Sequence, residues 1–148
     1  MINSIGIHVK VMDFKSSCKF YQHLGFKKVF EYGPYKKVKE SYSGVVFEQG
    51  GTKIEIADGH RAVRPEVFKE GILSSKVSLM IHVNSIKQVL SYAKKWSLPI
   101  AVGPRHYYWG TLELVIKDPD GLVLVFIAPY TQNEARCVNA DETYASHS

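Results

Sequence analysis

Along residues 5–12 the chain alternates: Ile5, Ile7, Val9 and Val11 fall on one face of an extended segment, Gly6, His8, Lys10 and Met12 on the other. The period then lengthens. Phe14, Cys18, Tyr21 and Leu24 recur at helical spacing behind Asp13, a good N-cap, and Gly25 suits the C′ position. Three strand-like runs follow, at about 26–33, 42–49 and 52–57. The same order then returns. Val77, Leu79, Ile81 and Val83 alternate with Ser78, Met80, His82 and Asn84. Ser85 caps a stripe of Ile86, Val89, Leu90, Ala93 and Trp96 that ends before Pro99, and strands are predicted at about 99–107, 110–117 and 122–128.

The two series are copies. Val11-Met12-Asp13-Phe14-Lys15 recurs as Val83-Asn84-Ser85-Ile86-Lys87, and Glu48-Gln49-Gly50-Gly51 stands where the turn Asp118-Pro119-Asp120-Gly121 stands later. The pattern predicts an α+β chain of two tandem β-α-β-β-β modules in a single domain. Module one covers about 1–58, a linker 59–75, module two 76–129 and a polar tail 130–148. Each module alone is too small to bury a good core. Within each sheet the Ile/Val face is expected under the helix. The face carrying Gly6, His8, Lys10, Ser78, Met80 and His82 is expected to line a cavity. Leu122 to Ala128 is apolar on both faces, with Leu122, Leu124 and Phe126 assigned to the helix side and Val123, Val125 and Ile127 to the cavity side. The tail has no periodicity and is expected to be disordered or to lie across a subunit interface.

Composition narrows the classes. At 148 residues, with 45% hydrophobic and 22% charged, the chain has the balance of a soluble globular domain. No apolar run approaches the roughly 18 residues of a membrane span, and Met1-Ile2-Asn3-Ser4 does not open a secretory signal. Cys18 and Cys137 have no CxxC spacing and read as free thiols in a reducing cytosol. The net charge of +5 is too modest and dispersed for a nucleic-acid binder. Its tightest cluster, Lys36-Lys37-Val38-Lys39, reads as a solvated loop, although the balance biases a small ligand toward anions.

Two stretches carry a resemblance. "IHVKVMDFKSSCKFYQHLGF" resembles the first module of the glyoxalase / bleomycin-resistance / extradiol dioxygenase (vicinal oxygen chelate) superfamily, bleomycin-resistance-like branch, and "WGTLELVIKDPDGLVLVF" resembles its closing hairpin. The similarity runs over roughly residues 4–129. It implies a curled eight-stranded sheet around a cup, a small-molecule ligand and a homodimer. It also implies metal-ligand stations at Gly6, Glu55, Ser78 and Val125. Of these only Glu55 is a ligand of the kind a divalent ion needs, so the standard metal site is absent and no cofactor is expected.

The expected function is metal-independent sequestration of an aromatic or amphipathic ligand in an apolar cup, in the cytoplasm. The ligand-binding candidates are His8, Glu55, His82, Arg105, Tyr107, Trp109 and Val125. Within "GPRHYYWG", Trp109 would stack on a planar ligand and Arg105 with His106 would hold an anionic group. Tyr32, Tyr35, Tyr42, Tyr107 and Tyr108 would add an aromatic rim. Glu55 has two readings: a carboxylate that is solvated or paired with a lysine such as Lys53 or Lys10, or a general base. The alternative function is a metal-dependent lyase, isomerase or dioxygenase using a shifted His8–Glu55–His82 site, His8 lying two residues beyond Gly6. A third reading keeps only an interaction module with a vestigial cup. His60, Arg61 and Arg64 are assigned to an exposed linker.

Overall fold

The computed structural model describes residues 1, 6–59 and 77–142; Ile5 and the linker residues His60, Arg61 and Arg64 lie outside them. Module one is β1 (Ile7–Lys10), α1 (Phe14–His23), β2 (Lys27–Tyr32), β3 (Gly44–Gln49) and β4 (Thr52–Ala57). Module two repeats this as β5 (Ser78–His82), α2 (Ile86–Lys95), β6 (Ile100–Tyr107), β7 (Thr111–Lys117) and β8 (Val123–Pro129), followed by α3 (Gln132–Cys137). The predicted tandem β-α-β-β-β architecture is the observed one, in two four-stranded sheets of order β1-β4-β3-β2 and β5-β8-β7-β6. In each sheet the first strand runs parallel to the last and the remaining pairs are antiparallel. The chain divides into two compact units, Met1–Leu73 and Ser74–Ser148. No helix among the described residues is long and apolar enough to cross a membrane.

Local chemistry fixes the elements. Asp13 accepts the Ser16 N–H at 3.0 Å and Ser85 accepts that of Gln88 at 3.2 Å, satisfying donors that a helix start leaves open. Gly25 turns out of α1 at φ 98°. α2 lacks a glycine there, and Ser97 takes the left-handed conformation at φ 53°. In the last hairpin Asp118 is buried, and its Oδ1 accepts the N–H groups of Asp120 and Leu122 at 2.9 and 2.8 Å.

Burial follows strand parity. Ile54, Ile56, Val45 and Phe47 form the helix-side core of the first sheet, and Leu112, Leu114, Ile116, Leu124 and Phe126 that of the second. Burying each such side chain contributes about 2 kcal/mol. Leu124 and Phe126 lie where expected, whereas Leu122 precedes its strand. The α1 stripe is rotated from the expected one: Ser17, Phe20 and Tyr21 are buried, and Phe14, Cys18 and Leu24 only half so. Tyr21 takes the deepest position by packing on Phe20, Phe26 and Phe47. In α2, Trp96 ends the helix exposed beneath Lys95 rather than in the core.

The tail departs most from expectation. Residues 130–142 fold onto module two. Thr131 caps α3 by accepting the Glu134 N–H at 3.2 Å. Glu134 Oε1 then accepts from Ser85 Oγ and from the Ile86 and Lys87 N–H groups at 3.3, 2.5 and 3.1 Å, closing the start of α2. Asp141 bonds the backbone of β6 at Pro104 and His106. A six-residue helix is too short to show periodicity, but Thr131-x-x-Glu134 is a capping-box pattern.

Candidate functional site

Glu55 is the centre of the module-one site. It sits in β4 opposite His8 of β1 and Val46 of β3, and that parity places all three on the face away from α1. Tyr32 joins them from two strands away. Its ring lies across Gly44, its β3 partner, and its hydroxyl donates to Glu55 Oε2 at 3.0 Å. A Cβ at Gly44 would stand 2.1 Å from the Tyr32 ring. Glycine there opens the path, the usual meaning of glycine inside a strand. His8 Nε2 lies 3.4 Å from the same Oε2. Both contacts fall on Oε2. Burial, then the Glu55 hydrogen bond, pushes the Tyr32 hydroxyl well above the usual phenol range, so it remains a donor.

A cavity of about 600 Å³ opens over this face. Ile7, Val29, Phe30 and Val46 supply its apolar wall, and His8, Glu48, Lys53 and Glu55 its polar points. A bulge between Lys28 and Phe30 brings the successive residues Val29 and Phe30 to the rim, both strongly exposed for their type. Glu48 faces Lys53 across the hairpin. Glu55 therefore takes a hydrogen bond from a phenol and has an imidazole nitrogen 3.4 Å away, whereas Lys53, one of its expected partners, faces Glu48.

The donor set does not fit a divalent ion. At the four stations the superfamily resemblance implies, Gly6, Ser78 and Val125 carry no carboxylate or imidazole, and Glu55 is already engaged. Within each unit, no three His, Cys, Asp or Glu side chains among the described residues converge as a metal-ion set. His8 and Glu55 are neighbours; His82 is exposed on β5 of module two.

In module two the centre of the open face is apolar. Val125 stands between Met80 and Val115, its β5 and β7 partners, where module one has Glu55 between His8 and Val46. The stretch Tyr107–Gly110 makes the β6–β7 hairpin, with Gly110 left-handed at φ 94°. Trp109 stacks on Tyr107 at 4.6 Å between centroids, and its Nε1 donates to Glu113 Oε2 at 3.0 Å. Thr111 donates to the same oxygen. Trp109 is a fixed platform, still 55% exposed.

Arg105 and His106 do not form the expected anion-holding pair. As consecutive strand residues they face opposite sides: Arg105 opposes Glu113 on the open face, and His106 opposes the buried Leu112. His106 stacks on Tyr130 at 3.6 Å and contacts Glu142 Oε2 through Nδ1 at 2.5 Å, while Arg105 lies 3.9 Å from Asp141. The aromatic rim is also redistributed. Tyr32 is buried, Tyr42 packs edge-on against it at 5.5 Å, and Tyr35 points to solvent. The pattern did not single out Phe30, Gly44 or Glu113. Gly44 inside a strand was the one available sign of a close approach.

The comparisons with known proteins agree with this architecture. No curated protein matches the chain. A hypothetical protein from S. aureus shares 22% identity over 86% of this chain and 94% of its own, with a TM-score of 0.62. The fosfomycin resistance protein FosX from Listeria monocytogenes shares 15% identity over 90% of this chain and 97% of its own, with a TM-score of 0.65. A FosX structure complexed with Mn(II) and 1S,2S-dihydroxypropylphosphonic acid gives 0.66 at 14% identity, over 90% of this chain and 97% of that one. At these identities the likeness is one of fold. The family model described as Glyoxalase/Bleomycin resistance protein/Dioxygenase superfamily matches residues 2–126. The chain therefore belongs to the glyoxalase/bleomycin resistance protein/dioxygenase superfamily.

Proposed function

We propose that this protein is a metal-independent small-molecule binder that sequesters an aromatic or amphipathic ligand. The observation that carries the reading is the donor set: three of the four stations for metal ligands are Gly6, Ser78 and Val125, and the fourth, Glu55, accepts a hydrogen bond from Tyr32 with His8 3.4 Å away. What remains is an apolar wall with a few oriented polar groups, which is how small-molecule pockets are built. Phe30 and Val46 would take the flat or aliphatic part of the ligand, and Glu55 would accept a hydrogen bond from it. Val125, His82, Arg105, Tyr107 and Trp109 would serve the same role from the open face of module two. The reading includes a cytoplasmic homodimer, with Cys18 and Cys137 free.

Native mass spectrometry of freshly purified protein, before and after Zn²⁺, Mn²⁺ and Ni²⁺, tests it. The expected species is a dimer that takes up none of the three ions and carries or accepts an organic ligand. A stoichiometric ion in each subunit would sink it.

One observation favours the second reading, a metal-dependent lyase, isomerase or dioxygenase: the 3.4 Å approach of His8 Nε2 to Glu55. Two donors are fewer than the three that catalytic sites use. An ion lost on His8→Ala and on His82→Ala would move the assignment there.

A further inference from the structure

On the helix-bearing side of the module-one sheet lies another cavity, about 400 Å³, between α1 and β2. Its rim is cationic. Lys15 and Lys19 stand four apart on α1 and are therefore neighbours on one helix face. Lys28 comes from β2 and Lys36 from the turn after it. Its floor is apolar, made by Phe14 and Val45 around the half-buried Cys18.

Two carboxylates lie near the four ammonium groups: Glu31 on the rim, with Lys28 Nζ at 3.1 Å and Lys36 Nζ at 3.4 Å, and Asp58, whose charge acts on Cys18 in the floor. The Lys28 hydrogen bond, ahead of the two lysine charges, holds the Glu31 carboxyl below its ordinary value. Lys15 and Lys19 have no carboxylate partner among the described residues. Burial pushes the Cys18 thiol up to about 11, so at neutral pH it is a neutral part of the floor and not a nucleophile.

We propose that this groove binds a small organic anion, its apolar body against Phe14 and Val45 and its phosphate, sulfate or carboxylate head among the four lysines. The apolar floor contributes burial, and the surplus of positive charge selects the sign of the ligand. An entering anion competes with Glu31 for Lys28 and Lys36.

The test is a ¹H–¹⁵N NMR titration of the full chain with 1-naphthyl phosphate, with 1-naphthol and inorganic phosphate as comparisons. Saturable shifts are expected at amides of α1 and β2, with weaker binding of both comparison compounds. The double variant Lys15→Glu/Lys19→Glu, both at exposed helix positions, is expected to weaken binding by about tenfold through two charge reversals at a solvated rim. Lys36→Glu should weaken it independently. Unchanged affinity in both variants overturns the proposal. So do shifts confined to the surroundings of Glu55, or inorganic phosphate binding as tightly as its naphthyl ester.

Discussion

Glu55 and Val125 hold the same station in two sheets of the same topology: each lies in the last strand of its module, opposite the first strand, with His8 beside one and Met80 beside the other. The neighbouring station differs in the same coordinated way. Module one places Tyr32 against Gly44, and the missing side chain lets the phenol cross to Glu55. Module two places Arg105 against Glu113, and that carboxylate turns instead to Trp109 and Thr111. A duplicated frame has thus come to hold a hydrogen-bonded carboxylate in one copy and an apolar wall with an aromatic platform in the other. Strand order is shared, and at these stations the difference lies in the side chains, although β6–β7 carries two register shifts where β2–β3 carries one. One backbone can host both kinds of face, so function has to be argued from the face and not from the fold.

The largest test of that contrast is Gly44→Ala. The new Cβ would collide with the Tyr32 ring, so the phenol must leave Glu55 or the strands must part. We expect about 3 kcal/mol of destabilisation, typical of forced overpacking, read as a fall in the urea midpoint. A loss below about 1 kcal/mol would mean that Tyr32 relocates without strain. Glu134→Ala comes next and touches only module two. It removes the carboxylate that closes the start of α2 through Ser85, Ile86 and Lys87, and we expect a loss of about 2 kcal/mol. Hydrogen exchange of the first α2 amides should quicken while α1, capped by its own Asp13, stays unchanged.

The contrast was only partly legible in the sequence. Strand boundaries, both long helices and the apolar character of the Val125 strand follow from periodicities of two and 3.6, which a single chain displays directly. The emptiness of Gly6, Ser78 and Val125 as ligand stations was legible through the family resemblance. The partner of Glu55 was not. Tyr32 lies twenty-three positions away and reaches it diagonally over Gly44, whereas the nearby Lys53 and Lys10 seemed the natural counter-ions on charge alone. Likewise Arg105 and His106 look like one binding pair when adjacent in sequence, yet strand parity sends them to opposite faces. The order of residues 130–142 was not legible, because capping chemistry, not periodicity, specifies a helix as short as α3.

A double-mutant cycle sharpens the comparison at lower energy. Glu55→Val gives module one the residue that module two already has, and Tyr32→Phe removes the donor. Glu55→Val alone leaves a largely buried phenol hydroxyl without its acceptor, at a cost of about 1–2 kcal/mol. With Tyr32→Phe added, that penalty should vanish, giving a coupling energy of about 1 kcal/mol between the two sites in urea unfolding. Simple additivity would show that the 3.0 Å contact contributes nothing to stability.

The smallest effect is silent at neutral pH and emerges only in alkali. In the folded chain the Tyr32 hydroxyl is raised above its ordinary value, first by burial and then by Glu55, so the folded state keeps a proton that the unfolded chain gives up at about pH 10. A group raised in this way contributes stability that is fully present below its unfolded pKa and is lost as the pH climbs toward the folded one. Urea midpoints for the native chain should therefore show no Tyr32 contribution to their slope between pH 7 and 9, and an added decline above about pH 10. Tyr32→Phe should be less stable at pH 8 and fall less steeply above pH 10, so that the two curves converge. Parallel curves would mean that the phenol titrates normally, and the link between Tyr32 and Glu55 that separates the two modules would be lost with them.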